Sequence, residues 1–252
     1  MVNSLHTHPY QKLYKMKKII FTGGNGRFAK IFKNIKTNFR IIYPSKQQLD
    51  ILNINKIRRL LKKEKPYYLI HCAALSRPMN IHHQDIKKSI DLNIIGTCNV
   101  VKACEELNIK LIYFSTNYVY PGLKGNYKET DSLLPFNNYG WSKLGGECAV
   151  QMYKNSLILR ICMTEKPFIH KKAFYDLKTN FMFHEELANI LLKFINKKGT
   201  INVGGKIKSV YEFAKINKNN ISKMSARKIF GKKYPLHQSM NIDKMLGILK
   251  KK

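Results

Sequence analysis

The chain has 252 residues, 44% of them hydrophobic, enough for one large core or for a domain with a smaller lobe wrapped onto it, which excludes general disorder. Its formal charge of +31 comes from 39 lysines and seven arginines set against 15 acids, with the lysines spread along the whole length. Specific readers of bases and phosphates favour arginine forks, so the charge is read as lysine-rich solvated faces, with a loose, salt-sensitive affinity for nucleic acid as the competing reading and no specific nucleic-acid partner expected.

Five cysteines, odd in number and without CxxC spacing, predict neither a disulfide framework nor a metal site. No run of about 18 apolar residues is found and the start lacks an apolar signal region, so no membrane partner and a cytoplasmic location are expected.

Residues 1–15 show no periodicity, and Met16-Lys17-Lys18 offers a second start, so that segment is read as a mobile extension. Buried strands are expected at Ile19 to Phe21, Phe39 to Tyr43, Tyr67 to His71, Leu111 to Phe114 and Leu157 to Ile161, alternating with helices near 27–36, 54–64, 83–107 and 138–154. This is the rhythm of an α/β fold, a Rossmann-like doubly wound parallel sheet. It predicts a dinucleotide-binding domain over 16–161. After Ile161 the rhythm breaks at Pro167, Gly199, Gly204-Gly205, Gly231 and Pro235, so residues 162–252 are expected to form a small substrate-binding lobe, interleaved with the first domain, rather than more sheet.

Directly after the first strand comes Gly23-Gly24-Asn25-Gly26-Arg27-Phe28-Ala29, opening onto a helix. In such a turn Gly23 makes the tight bend, Gly26 lets backbone amides approach a pyrophosphate, and Ala29 lets helix and strand pack closely. Placement after a strand and before a helix carries the assignment, since glycines also serve ordinary turns. The second strand ends in Tyr43-Pro44-Ser45-Lys46, with no acid to grip an adenosine ribose. Ser45, Lys46, Arg40 or Arg27 could instead receive a 2′-phosphate. NADP is therefore the expected cofactor, with NAD as the alternative.

Four Tyr-x-x-x-Lys matches occur, at Tyr14, Tyr120, Tyr139 and Tyr211, where chance alone gives about two in a chain this rich in both residues. Only Tyr139 opens a strong helical stretch at a suitable distance after a buried strand ending in Ser115-Thr116. The i, i+4 spacing puts Tyr139 and Lys143 on one helical face. A phenol is a poor acid or base at neutral pH, and a neighbouring ammonium is expected to lower its pKa. Tyr139 is then the acid/base, Lys143 its partner and a holder of the nicotinamide ribose, and Thr116, with Ser115 beside it, a donor to the reacting oxygen.

These residues resemble the extended short-chain dehydrogenases, and within them the dTDP-4-dehydrorhamnose reductases. The resemblance runs from about Met16 almost to the end. It rests on the Gly23/Gly26/Ala29 turn, Leu49-Asp50-Ile51 with Asn53, His71-Cys72-Ala73-Ala74, Asn93-x-x-Gly96-Thr97-x-Asn99-Val100, Ser115 to Tyr120, Glu129-Thr130 with Pro135, and Tyr139 to Glu147. It continues through Asn202 to Gly205, Ser209 to Ala214 and Ser239 to Lys244.

The resemblance implies an oxidoreductase of deoxysugar biosynthesis that reduces the 4-keto group of a nucleotide-linked 4-keto-6-deoxysugar with NAD(P)H, and it admits a homodimer. It implies that Asp50 and Ile51 flank the adenine, that Cys72, Ala73 and Ala74 line the cofactor, and that Asn93 supports the cleft. The cofactor set is then Gly23, Gly26, Arg27, Phe28, Asp50, Ile51, Cys72, Ala73, Ala74, Asn93, Ser115 and Lys143. Arg160 and His184-Glu185-Glu186-Leu187 resemble positions near the substrate lobe, with a capped helix start as the structural alternative for the latter. Two features depart from the family: Asn117 stands where an acid usually follows the Thr, which speaks against a dehydratase, and the segment 162–180 is short. The competing functions are a sugar-nucleotide epimerase or epimerase-reductase on the same fold, and a non-catalytic NADP-binding regulatory subunit such as the beta subunit of methionine adenosyltransferase, which resembles this family.

Overall fold

A computed structural model describes residues 16–250, so the extension expected at 1–15 lies outside the described residues. Strand β1 (Lys18–Thr22) leads through the glycine turn into helix α1 (Arg27–Phe32), followed by β2 (Arg40–Ile42), α2 (Ile54–Glu64) and β3 (Tyr68–His71). Next come α3 (Ile81–Gln84), α4 (Ile86–Ser89), a π-helical turn (Ile90–Ile95), α5 (Gly96–Glu106), β4 (Lys110–Thr116), α6 (Asn138–Met152) and β5 (Ser156–Ile161). Every expected strand and helix of this half is present, and β3, β4 and β5 are buried along their whole length, which is why they read as unbroken apolar runs.

Two local features differ from the expectation. The single helical stretch expected over 83–107 is broken at Asp85, whose non-helical backbone ends α3 while its carboxylate caps α4 by accepting from the Lys88 N–H at 2.8 Å. It then widens into the π turn around the buried Asn93. The sheet also continues past Ile161. Strand β10 (Gly199–Val203) lies parallel to β5, with Gly199 opposite Leu157 and Val203 opposite Ile161, and completes a six-stranded parallel sheet in the order β10-β5-β4-β3-β1-β2.

Between β5 and β10 the chain forms short strands β6 (Met163–Thr164), β7 (Lys172–Phe174), β8 (Lys178–Thr179) and β9 (Met182–Phe183), then α7 (His184–Ile190). After β10 come β11 (Lys208–Ser209), α8 (Val210–Lys215), β12 (Ser222–Met224), α9 (Ala226–Phe230) and α10 (Asp243–Lys250). Three two-stranded pairings form here, β6 with β9, β7 with β12 and β8 with β11; Met163 and Met182 of the first pack on the main core, while β7 contributes to a separate apolar cluster that includes Phe168, Leu177, Val210, Ile221 and Leu236. No helix among the described residues is long and apolar enough to cross a membrane.

The chain winds from β1 out to β2, then crosses back so that β3 lies on the other side of β1, and Thr22 stands opposite His71 at the carboxyl ends of that pair. This reversal is the switch point at which doubly wound sheets open a crevice for ligands. The glycine turn lies there. Gly23 has φ +76°, and a Cβ on it would meet the Ala73 backbone nitrogen at 2.9 Å, so a side chain is excluded both by conformation and by space.

Helix α6 closes over the same end of the sheet. Its N-cap, Asn137, accepts from the Gly140 N–H at 2.8 Å, and a Cβ on Gly140 would overlap the Tyr118 carbonyl and approach Pro135 at 2.9 Å. Gly140→Ala is expected to push α6 away from Tyr118 and cost about 1–3 kcal/mol. Gly247→Ala, in the exposed α10 where a Cβ meets nothing within 4 Å, is expected to gain about 0.5–1 kcal/mol. Urea unfolding midpoints of the two variants should move in opposite directions from wild type.

Candidate active site

A chain of buried hydrogen bonds ties together the elements that meet at the switch point. The Ala73 N–H donates to Thr22 Oγ1 at 3.2 Å, so the Thr22 hydroxyl proton turns to His71 Nδ1, 2.9 Å away. On the other side of the ring, the Thr97 hydroxyl donates to the Asn93 carbonyl at 2.8 Å and accepts from His71 Nε2 at 3.1 Å. These directions fit one tautomer, neutral with the proton on Nε2. Burial, with the Lys143 charge adding to it, depresses the His71 pKa from 6.5 to about 3.

Asn93 extends the chain to the helix that carries the expected catalytic tyrosine. Its Oδ1 accepts from the Leu75 N–H at 2.7 Å, and its Nδ2 donates to the Leu75 carbonyl and to Ser142 Oγ, both at 2.9 Å. Ser142 Oγ in turn donates to the Tyr139 carbonyl at 2.8 Å. Asn93 thus fastens the loop after β3 to α6.

Tyr139 stands at the start of α6 and Thr116 at the carboxyl end of β4, where the Thr116 side chain bears on the phenol while its Oγ1 donates to Asn117 Oδ1 at 3.4 Å and accepts from the Tyr118 N–H at 3.3 Å. The Tyr139 ring packs on His82, with centroids 5.1 Å apart, and edge-on to Tyr118 at 5.8 Å. Burial pushes the phenol up to about 12, against the lowering effect of Thr116, Arg77 and Arg27. The expected ammonium is not among those lowering influences. Lys143, 3% exposed, lies with Nζ 4.1 Å from the Tyr113 ring centroid, and burial brings its amine down to about 7 against Cys72 and Glu147. Burial therefore holds the phenol protonated and leaves the amine easily discharged.

Around the glycine turn, the Gly26 N–H closes the bend on the Gly23 carbonyl at 2.8 Å, and a Cβ on Gly26 would meet only that carbonyl, at 3.0 Å. The N-cap of α1 is Gly26 itself, with no side-chain cap, so the first-turn N–H groups are left for an anion at the crevice. The backbone there fits a diphosphate. Ala29 is fully buried against the sheet, as close helix-to-strand packing requires.

Phe28 is 3% exposed and sits among Phe21, Phe32 and Phe114, so its side chain belongs to the core and only its backbone N–H faces the turn. Arg27 turns to Glu165 at 2.7 Å. Arg40 begins β2 opposite Lys18, at the amino end of the sheet and away from the crevice, which leaves Ser45 and Lys46 as the side chains at the β2 tip.

Cys72 and the half-buried Ala73 and Ala74 follow β3 beside Gly23, with the Cys72 thiol pushed up to about 12 by burial against the Lys143 charge. Asp50 accepts from the Leu52 N–H at 3.0 Å, and Ile51, 6% exposed, packs into the core, where it would block a Cβ on Gly96. Ser115 donates to Glu147 at 2.5 Å and is committed to a buried network rather than to the crevice.

That network centres on the ion pair of Glu147 with Arg160, 2.6 Å apart with side chains 4% and 6% exposed. Arg160 Nη1 donates to the Tyr120 hydroxyl at 2.7 Å, which donates to Asn202 Oδ1 at 2.8 Å, and the Asn202 N–H donates to Glu129 at 2.9 Å. Arg160 is thereby a link between α6, β5 and β10. At the start of α7, Glu186 accepts from the Phe183 N–H at 2.5 Å, which is the capping alternative for His184 to Leu187.

Reasoning from sequence did not single out His82, fully buried against Tyr139 with Nδ1 2.9 Å from Ser89 Oγ and Nε2 without a hydrogen-bond partner. Nor did it assign a role to His71. A lone histidine gives no periodic signal, and only the assembled packing shows what either ring touches.

A parallel doubly wound sheet with a glycine turn at its switch point defines a Rossmann-like dinucleotide fold. Residues 16–165 match the model of the RmlD substrate binding domain, and the chain belongs to that family, whose fold is that of sugar-nucleotide reductases and epimerases.

Similar curated proteins include methionine adenosyltransferase 2 subunit beta of Pongo abelii, 31% identical over 143 residues that cover 53% of this chain and 42% of the relative. They also include the dTDP-4-dehydrorhamnose reductase of Aggregatibacter actinomycetemcomitans, 27% identical over 59% of this chain and 52% of the relative. This chain spans only about half the length of these curated relatives, or less. The solved dTDP-4-dehydrorhamnose reductase of Bacillus anthracis, in complex with NADP, superposes with a TM-score of 0.81 at 25% identity over 93% of each chain.

The buried, neutral His71 makes a prediction about acid stability. Because its native pKa is depressed to about 3, its contribution is present in full above about 6.5 and is lost as pH falls toward 3, at up to about 1.4 kcal/mol per pH unit. Urea midpoints followed from pH 7 to pH 4 should fall with that added slope in wild type, and His71→Asn should lack it.

Proposed function

We propose that this chain is an NAD(P)H-dependent reductase acting on the 4-keto group of a nucleotide-linked 6-deoxysugar. The observation that carries the reading is the placing of Thr116 at the carboxyl end of β4 and of Tyr139 at the start of α6, over the same end of the sheet as the uncapped glycine turn at the switch point. Gly23, Gly26 and the first N–H groups of α1 hold the diphosphate of the cofactor, Cys72, Ala73 and Ala74 line it, and Lys143 holds its nicotinamide ribose. Ser45 and Lys46 receive a 2′-phosphate, so NADP is preferred, in keeping with the NADP complex of the Bacillus anthracis reductase. Residues 162–252 supply the lobe that faces the sugar.

Bound nicotinamide supplies the hydride. Thr116 hydrogen-bonds the ketone oxygen and orients it, and Tyr139 delivers the proton to that oxygen as negative charge develops on it. Burial suits this direction of reaction, because a phenol held near 12 is protonated at neutral pH and stands ready as an acid. The Arg77 and Arg27 charges bear on the phenolate left behind, with Lys143 one helical turn away. Asn117 carries no charge, so the reacting carbon has no adjacent acid of the kind a dehydratase would use.

A second reading is favoured by one observation: among similar curated proteins, the beta subunits of methionine adenosyltransferase align at about 30% identity. On that reading the chain binds a dinucleotide and serves as a partner subunit without turnover. The retention of Thr116, Tyr139 and Lys143 supports the reductase reading over it.

The test mixes purified protein with NADPH and a dTDP-linked 4-keto-6-deoxysugar and follows loss of the reduced nicotinamide absorbance. Turnover is expected, with Tyr139→Phe slower by about 10²- to 10⁴-fold. Cofactor binding without turnover of any keto-sugar would put the regulatory reading first.

A further inference from the structure

Three segments that are distant in sequence meet in one ion cluster at the mouth of the crevice. Glu165, just past β6, accepts from Arg27 Nη1 at 2.7 Å through Oε1, and from Arg77 Nη1 at 3.0 and 2.9 Å through Oε1 and Oε2. Arg27 is the residue immediately after Gly26, and Arg77 lies in the loop after β3. Both guanidinium charges bear on the Tyr139 hydroxyl, and His184, 7% exposed, adds a further influence on Glu165. The cluster is thus joined in sequence to the phosphate-binding turn through Arg27 and to the loop after β3 through Arg77.

Two guanidinium groups sharing one carboxylate make up a seat for an oxyanion with two or more charges, because each fork can bond a phosphate in bidentate fashion and their mutual repulsion calls for an anion between them. Glu165 supplies a single negative charge. The side chains of Arg27, Arg77 and Glu165 are 48%, 36% and 19% exposed, so water screens these pairs and each is weak enough to exchange. The basic surface elsewhere is almost all lysine, which makes two arginines on one acid a specific feature.

We propose that Arg27 and Arg77 form a two-guanidinium seat for the diphosphate of a nucleotide ligand, and that Glu165 is a built-in competitor for that seat. Binding the diphosphate releases the Glu165 carboxylate from both arginines, which ties occupancy of the crevice to the position of the segment that follows β6. For the dinucleotide the inference rests on the reading given above. The shared chemistry is a diphosphate, which either the cofactor or the nucleotide-linked sugar could bring.

Isothermal titration of NADPH, of dTDP and of inorganic pyrophosphate into wild type, Glu165→Gln, Arg77→Gln and the double variant tests it, with circular dichroism checking that each variant is folded. Glu165→Gln is expected to tighten binding of pyrophosphate and of the nucleotide that uses the seat by about fivefold, the scale of losing two weak, solvent-screened ion pairs. Arg77→Gln is expected to weaken it, and adding Glu165→Gln to Arg77→Gln to gain much less than fivefold. Glu106→Gln, which removes the same charge from the Arg58 pair elsewhere on the surface, should leave all three affinities unchanged.

Which nucleotide responds identifies the source of the diphosphate. Unchanged or weaker binding in Glu165→Gln, or an equal gain in Glu106→Gln, overturns the proposal. If neither nucleotide binds while pyrophosphate still responds to Glu165, the seat stands and the dinucleotide reading fails; if nothing binds, both fail.

Discussion

The Thr22–His71–Thr97 hydrogen-bond chain is the constraint on which the rest of the site depends. It joins β1, β3, α5 and, through Asn93 and Ser142, the first turn of α6. Each polar hydrogen in it has an acceptor, with Asn93 Nδ2 serving two, and each link is taken out of water, where an unmade hydrogen bond costs about 1–3 kcal/mol. The glycine turn and the tyrosine helix are consequently fixed to one another by polar bonds with definite directions, and not only by apolar packing that would tolerate a shift. The Gly23–Ala73 and Gly140–Tyr118 contacts work in the same sense, because each brings backbone against backbone with no side chain to act as a cushion.

Burial sets the charge state of this site more strongly than any single neighbour. The same loss of water raises Tyr139 to about 12, lowers Lys143 to about 7 and leaves His71 neutral. The expectation drawn from sequence was an ammonium pulling the phenol down, and burial outweighs every charge near it. In the folded chain the ammonium lies over the Tyr113 ring, and the cations that bear on the phenol are Arg77 and Arg27, which no Tyr-x-x-x-Lys pattern includes.

Much of the fold was legible because parallel strands buried on both faces leave unbroken apolar runs, as in Tyr68 to His71 and Leu157 to Ile161. Strand β10 was not legible. Gly199-Thr200-Ile201-Asn202-Val203 alternates apolar with polar residues at the sheet edge, and Asn202 is buried only because Tyr120 and Glu129 come to meet it. The break at Asp85 and the π turn were hidden for a related reason, since helical periodicity survives a cap and a single widened turn. At the site, the order of strand, glycine turn and helix marked Gly23 and Gly26, and a helix following Ser115-Thr116 marked Tyr139. Phe28 and Ser115 were read toward the cofactor because they adjoin these motifs in sequence. Their side chains face the aromatic core and Glu147 instead, and only the sheet's pleat and the helix's rotation decide that.

The energetics of the interior bear on what such a site is for. A lysine 3% exposed, with an amine brought from 10.5 down to about 7, costs the native state on the order of a few kcal/mol at neutral pH, since every tenfold loss of proton affinity is worth about 1.4 kcal/mol. That is a large share of the roughly 5–15 kcal/mol typical of a folded domain. A methionine or leucine would fill the space over Tyr113 without that cost. A fold whose only task was to seat a dinucleotide could place a lysine on the ribose from a wetter position, as a snorkelling side chain. On the reductase reading proposed above, that cost has a use, because a charge formed on the reacting oxygen is met more strongly by fixed cations in a medium of low dielectric than in water.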